Sequence, residues 1–195
     1  MTAIPPRLAR IAELVPAGAS VLDVGCSDGR LLRHLRDMKA VDGRGIEIDP
    51  VRVSEAVAHG LSVVQGDAER DLADFPARSV DYAILSETLQ AMREPVRVLD
   101  ELLRIGRRAI VAFPNFGHWR VRLDLLVRGR MPVTPGLPQS WHETENIHLC
   151  TIRDFEALAS TRGDRVEGAW YFAGDWRVSV HPNLFADHAI YVLAP

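Results

Sequence analysis

Apolar residues along this chain follow two spacings in turn: short unbroken runs, and stripes at i, i+3, i+4. Leu8, Ile11, Ala12 and Val15 form a first stripe, which predicts an amphipathic helix from Pro6 to Val15, stopped by Pro16 and Gly18. Val21-Leu22-Asp23-Val24 then reads as a buried strand running into the small-residue turn Gly25-Cys26-Ser27-Asp28-Gly29. A helix from about Asp28 to Met38 follows, with Leu31, Leu32 and Leu35 on one face and Asp28 placed to cap it. The pattern repeats as a strand at Asp42–Ile48, a helix at Val51–His59 closed by Gly60, and a strand at Leu61–Gln65. A fourth strand, Val80–Ser86, leads to a helix opened by Pro95 and ended by Gly106. A fifth strand spans Arg108–Phe113.

The stretch 114–150 breaks this alternation. It holds Pro114-Asn115-Phe116-Gly117-His118-Trp119-Arg120, a helical stretch at Arg122–Val127, a Pro/Gly-rich segment through Pro138, and then Trp141, His142 and His148. Long irregular insertions of this kind serve as lids or partner surfaces. Thr151-Ile152-Arg153-Asp154 reads as a capping box opening a helix that ends at Gly163. Closing strands near Arg165–Phe172 and His188–Leu193 bring the count to seven. Strands alternating with helices predict an α/β fold, a doubly wound and mostly parallel seven-stranded sheet covered on both faces. The expected organisation is one domain over 1–195 with an insertion at about 114–150.

Composition narrows the class without naming a function. The chain has 195 residues, 47% hydrophobic and 25% charged, with a net charge of −3. That length supports one sizeable core, and the charge leaves no electrostatic footprint for nucleic acid. Two cysteines, Cys26 and Cys150, make no disulfide framework. The first residues lack the charged and apolar regions of a signal peptide, and no apolar run reaches the ~20 residues of a membrane span. The expectation is a cytoplasmic protein with no membrane partner.

The glycine turn carries the candidate chemistry. Glycines let the backbone approach a ligand, and the free N–H groups of the next helix point at it. The dinucleotide fingerprint G-x-G-x-x-G fails, because positions 27 and 30 hold Ser27 and Arg30. The S-adenosylmethionine (SAM) pattern, an acid followed by G-x-G-x-G, fits Asp23, Gly25 and Gly29, with Ser27 in the middle glycine's place. If position 27 needs a left-handed backbone, serine is strained there, and its hydroxyl equally offers a donor to a ligand. Cys26 reads as a small buried residue beside the loop. In a doubly wound fold the strand ends meet at one crevice. Glu47 lies about 20 residues beyond the turn, where two carboxylate oxygens can accept both ribose hydroxyls. Asp49 reads as a helix cap. Asp67, after the third strand, is the candidate acceptor from an adenine amino group. Ile48, Ala68, Leu85 and Ser86 complete the set at the strand ends.

The stretches VLDVGCSDGRLL, GIEID, VDYAILSETLQ, IVAFPNFGHWRVRL, GRMPVT and NIHLCTIRDFE together resemble the methionine-biosynthesis protein W (MetW) family over nearly the whole chain. The resemblance implies a class I methyltransferase-like, Rossmann-like fold with SAM or S-adenosylhomocysteine as cofactor. It also implies a role beside homoserine O-acyltransferase, the enzyme that activates homoserine. It does not by itself imply methyl transfer, so an active SAM-dependent methyltransferase on a small molecule stands as the alternative. The family's G-C-G-D-G departs here at Ser27.

Other chemistries fit less well. Methyl transfer to oxygen needs a base, and His118, following strand five, is the candidate. The same histidine could instead order the insertion or touch a partner. His142, Glu143, His148 and Cys150 match no zinc spacing, so no metal is expected. No G-x-S-x-G elbow is present, so the chain does not read as an acyltransferase itself. Phe116, His118, Trp119, Arg122, Met131 and Trp141 supply the aromatic, methionine and arginine content of interface cores. Composition alone leaves open whether they pack the insertion onto the sheet. The functional pairing implied by the resemblance favours a partner surface.

Overall fold

The computed structural model describes residues 4–134 and 137–195. The first three residues and Pro135-Gly136 of the Pro/Gly-rich segment lie outside them. Helix α1 (Pro6–Leu14) precedes strand β1 (Ser20–Val24), α2 (Arg30–Lys39), β2 (Asp42–Glu47), α3 (Pro50–Ala58) and β3 (Ser62–Gln65). A one-turn helix α4 (Ala68–Asp71) leads to β4 (Val80–Ser86), α5 (Pro95–Ile105) and β5 (Gly106–Pro114). The insertion contributes α6 (Trp119–Arg128). After it come α7 (Ile152–Arg162), β6 (Arg165–Ala173), β7 (Trp176–Arg177), α8 (Pro182–Phe185) and β8 (His188–Ala194).

The sheet has eight strands in the order β3-β2-β1-β4-β5-β8-β6-β7. The first five are mutually parallel, and β8 runs antiparallel between β5 and β6. The expected count of seven is one short. The chain turns at Gly174-Asp175, with Gly174 at φ +57°, and Ala173 pairs back with Trp176 in a two-residue hairpin.

Alternation along the strands divides the core. Leu22, Val24, Leu85, Val111, Phe113 and Tyr191 face α5 and α7, while Val21, Ile84, Ile110, Ala112 and Ile190 face α1, α2 and α3. Strands buried on both faces require the continuous apolar runs seen at 109–113 and 189–193. The Phe113 ring stacks on Tyr191, with centroids 5.9 Å apart, and both meet Phe155 of α7.

Caps set the helix ends. Asp49 accepts from the Val51 N–H, and Thr151 and Asp154 form the expected reciprocal box. Helix α2 starts two residues later than expected, because Gly29 takes the cap position with φ +71°. Asp28 accepts from the Arg30 N–H at 3.3 Å and also binds the Arg30 guanidinium. Among the described residues no helix is long and apolar enough to cross a membrane.

Candidate functional site

Order reversal between β1 and β4 places a crevice at their carboxyl ends, where open α/β sheets bind ligands. The register brings Val24 level with Ile46 and Leu85, so Gly25, Glu47 and Ser86 leave the sheet side by side. The turn after β1 takes a left-handed backbone at Gly25 (φ +70°), Ser27 (+50°) and Gly29 (+71°). Its Gly25 and Cys26 N–H groups donate to the Ile46 carbonyl, tying it to β2. A Cβ at Gly25 would stand 2.7 Å from Thr88 Oγ1, so the turn also closes against the loop after β4.

A cavity of about 330 Å³ opens there, at the lower end of the range for small-molecule sites. It brings together Asp23, Gly25, Cys26, Ser27 and Ser86, with Arg7 and Leu8 of α1 and Glu87 forming the opposite side. Asp23 is buried, and its carboxylate receives no hydrogen bond from the described residues. Burial, with the Glu47 charge adding to it, raises the Asp23 pKa from 3.8 to about 7. Burial, together with the charges of Asp23 and Glu47, pushes the Cys26 thiol far above its ordinary value, so it stays protonated. Ser86 Oγ is buried with no hydrogen-bond partner among the described residues.

Glu47 has a more specific job than a free acid. Its Oε2 accepts from the Ser27 N–H at 2.7 Å, and its Oε1 from Ile48 at 2.8 Å and Asp49 at 3.0 Å. The carboxylate therefore holds Ser27 in its strained conformation and leaves about one acceptor position for a ligand. Asp67 caps α4 through the Glu69 N–H at 3.0 Å. Ile48 is exposed on the rim, Ala68 begins α4, and Leu85 points into the core, contributing backbone only.

A cluster of four residues, of which Arg7 and Glu87 line the crevice and Asp187 and His188 lie behind them, was not expected. Arg7 donates to Glu87 Oε2 at 2.9 Å, and His188 Nδ1 lies 2.9 Å from Asp187 Oδ1. His188 Nε2 lies 3.3 Å from Glu87 Oε2 and also within hydrogen-bond distance of Arg7, a contact open only to the neutral ring. Burial lowers the His188 pKa, but the Asp187 and Glu87 carboxylates outweigh it and hold the ring above its ordinary value. No motif marks this cluster in the sequence.

His118 stands apart from the crevice lining. Its Nδ1 accepts from the Arg120 N–H at 3.3 Å as the cap of α6, and burial lowers its pKa. Within the insertion Phe116, Met131 and Trp141 share a small cavity of about 80 Å³. Trp119 is partly exposed beneath the Arg120 guanidinium. Arg122 folds back onto the Gly117 and Asn183 carbonyls. Asn115 anchors the insertion: its buried amide accepts from Gly117 and Ile152 and donates to Ala186 and Asn183. The far end is pinned by the Ile147 and His148 N–H groups, both donating to the Gln90 carbonyl at 2.9 Å.

Against known proteins, the family model for methionine biosynthesis protein MetW matches residues 6–193. The chain belongs to the MetW family. It is 34% identical over 193 residues to the bifunctional methionine biosynthesis protein MetXA/MetW of Rhodopirellula baltica, covering 92% of this chain and 31% of that relative. The chain thus spans about a third of the length of that MetW relative. A ubiquinone biosynthesis O-methyltransferase of Xanthomonas axonopodis is 32% identical over 139 residues, 67% of this chain and 57% of that enzyme. A solved SAM-dependent methyltransferase of Archaeoglobus fulgidus superposes with a TM-score of 0.71 at 15% identity, over 97% of this chain and 91% of that one. At that identity the likeness shows the fold alone, which is the class I methyltransferase fold expected for the family.

Proposed function

We propose that this MetW family member is a SAM-binding accessory protein of methionine biosynthesis that supports homoserine O-acyltransferase. The observation that carries the reading is the relative in which MetW is joined to MetXA in one bifunctional polypeptide. Joining two modules keeps one at high effective concentration beside the other, which rewards a functional contact between them.

The crevice suits SAM on its own chemistry. A buried carboxylate with a pKa near 7 and no internal donor is matched by a ligand's ammonium group. In this reading Asp23 holds the amino group, the turn 25–29 cradles the ligand backbone, Glu47 keeps the turn in shape and faces the ribose, and Asp67 lies toward the adenine. SAM supplies a sulfonium methyl group when bound. Arg7 and Glu87, joined to each other and backed by His188, would border the bound ligand.

The decisive experiment is homoserine acylation by the purified acyltransferase, with and without this chain. A rate increase of tenfold or more is expected. No change in rate, together with no co-elution, would overturn the reading.

The identity to an O-methyltransferase favours a second reading, methyl transfer to a small acceptor. It predicts S-adenosylhomocysteine formation in a metabolite screen. The engagement of His118 as a helix cap, away from the crevice, weighs against it.

A further inference from the structure

Helix α6 is turned the wrong way for an ordinary surface helix. Among its residues only Val121 is buried. Trp119, Leu123, Leu126 and Val127 recur at i, i+4, i+7 and i+8, the spacing of a core-facing stripe. All four are exposed, Leu126 to 83% and Val127 to 71%. The stripe therefore has no partner within the described residues. Solvated apolar stripes of this kind mark sites of association.

Charge restricts what can cover it. The segment 119–130 carries four arginines against one aspartate, and Asp124 is already paired with Arg128. Arg120 stands over Trp119, and Arg130 follows the last turn. If a second copy of this chain packed α6 against α6, arginines would meet arginines across the contact, which is unfavourable. An apolar groove edged with carboxylates meets both the stripe and its rim. Beside the helix is the cavity of about 80 Å³, with Phe116 contributed from before α6 and Met131 from after it. That shape accepts one aliphatic or aromatic side chain, as interface anchors do.

We propose that the outer face of α6 is the seat of the acyltransferase, which receives the helix in an apolar, acid-rimmed groove and places one anchor side chain in the Phe116–Met131–Trp141 cavity. This rests on the accessory reading given above and adds the surface and the partner's chemistry. Leu123, Leu126 and Val127 carry the contact. Arg122 and His118, tied into the chain's own backbone, shape the helix instead.

The test is binding of the full chain to purified homoserine O-acyltransferase, followed by biolayer interferometry at several salt concentrations. Leu126→Glu is expected to weaken binding at least thirtyfold, and Leu126→Gln about tenfold, with the thermal midpoint and SAM binding unchanged. Because position 126 is solvated, the glutamine variant keeps the fold if the glutamate does not. R120E/R130E is expected to slow association at least tenfold and to flatten its salt dependence. Wild-type binding that both Leu126 variants leave intact would overturn the seat while the accessory reading stands. Binding lost in the Leu126 variants but indifferent to salt and to R120E/R130E would overturn the acidic rim. Absence of wild-type binding would overturn the accessory reading and the seat together. Self-association abolished by L126E, with acyltransferase binding unaffected, would assign the face to a second copy and overturn the proposal.

Discussion

Three of the five residues at 25–29 have a left-handed backbone, and two of them, Gly25 and Ser27, shape the turn in opposite senses. Gly25 is required twice over, by φ +70° and by Thr88, whose Oγ1 is held by the Ser86 carbonyl. Gly25→Ala should cost about 1–3 kcal/mol in urea unfolding. Adding Thr88→Ala should return the steric part and leave the backbone part. A double variant no more stable than the single one would refute the contact. Ser27 runs the other way, since glycine relieves a strained φ at some cost in unfolded-state entropy. Ser27→Gly should raise the melting midpoint by roughly 1–3 °C. Asp23 supplies a pH dependence. Its folded pKa, about 7, lies above the unfolded 3.8, so the unfolded state binds fewer protons between those values. Stability should therefore fall by about 1.4 kcal/mol per pH unit across that window in the ligand-free protein, and Asp23→Asn should remove this slope. If Asp23 holds an ammonium group, SAM affinity should rise about tenfold per pH unit up to pH 7 and then level off. Titration calorimetry between pH 5.5 and 8 checks this, and a flat profile would exclude the role.

At the scale of elements, α1 is tied at the crevice to the loop after β4 and to β8 through Arg7, Glu87 and His188. Arg7 lowers the His188 pKa by its charge, while the carboxylates raise it. Arg7→Ala should move the His188 titration upward by NMR and let α1 swing from the crevice. SAM association and dissociation should then both accelerate, by threefold or more, and unchanged rates would show that α1 does not gate the site. The folded-state charge on His188 contributes stability that is present below its unfolded value of 6.5 and lost as pH rises through the raised one. This cluster was illegible in the sequence because its members lie up to 181 positions apart and meet only when β8 enters the sheet beside β5. In the parallel half β1, β4 and β5 were legible as largely apolar runs, while β2 (Asp42-Gly43-Arg44-Gly45-Ile46-Glu47) and the mostly exposed β3 were placed by the helices and turns around them. The additional strand, β7, was not legible, because Trp176-Arg177 is two exposed residues. His118 shows a different ambiguity. A histidine after a strand end reads as a base at a pocket mouth, yet its short acceptor suits a helix cap equally, and the structure uses it as one. In α6 the sequence showed a helical stretch, and only the burial of Val121 with the exposure of Leu123, Leu126 and Val127 reveals an apolar stripe that faces outward.

Across the whole molecule, crevice and insertion share one segment, the loop after β4. Its Thr88 touches the glycine turn, its Glu87 lines the cavity, and its Gln90 carbonyl pins Ile147 and His148 of the insertion. Gln90 itself is buried, with Nε2 donating to the Glu87 carbonyl and Oε1 without a partner among the described residues. A ligand that displaced the turn would therefore act on a loop that is hydrogen-bonded to Ile147 and His148, which lie between Asn146 and Leu149 of the insertion's cavity lining. SAM is made from methionine, so such a connection would report end-product level to the acyltransferase. Linkage makes the idea testable from both sides: whatever factor SAM applies to partner affinity, the partner must apply to SAM affinity. The expected factor is five- to 150-fold, or about 1–3 kcal/mol of coupling. Gln90→Ala keeps the carbonyl that pins the insertion but removes the side-chain bond to Glu87 that braces the loop, and it should reduce that factor while each ligand alone still binds. Both affinities, measured with and without the other ligand in wild type and variant, close the cycle. Equal partner affinity with and without SAM would leave the accessory role standing and remove feedback from it. A coupling that survives in Gln90→Ala at full strength would show that the Gln90 side chain does not brace the route; a second connection is Asp187, which reaches His188 through its side chain and Asn115 through its carbonyl.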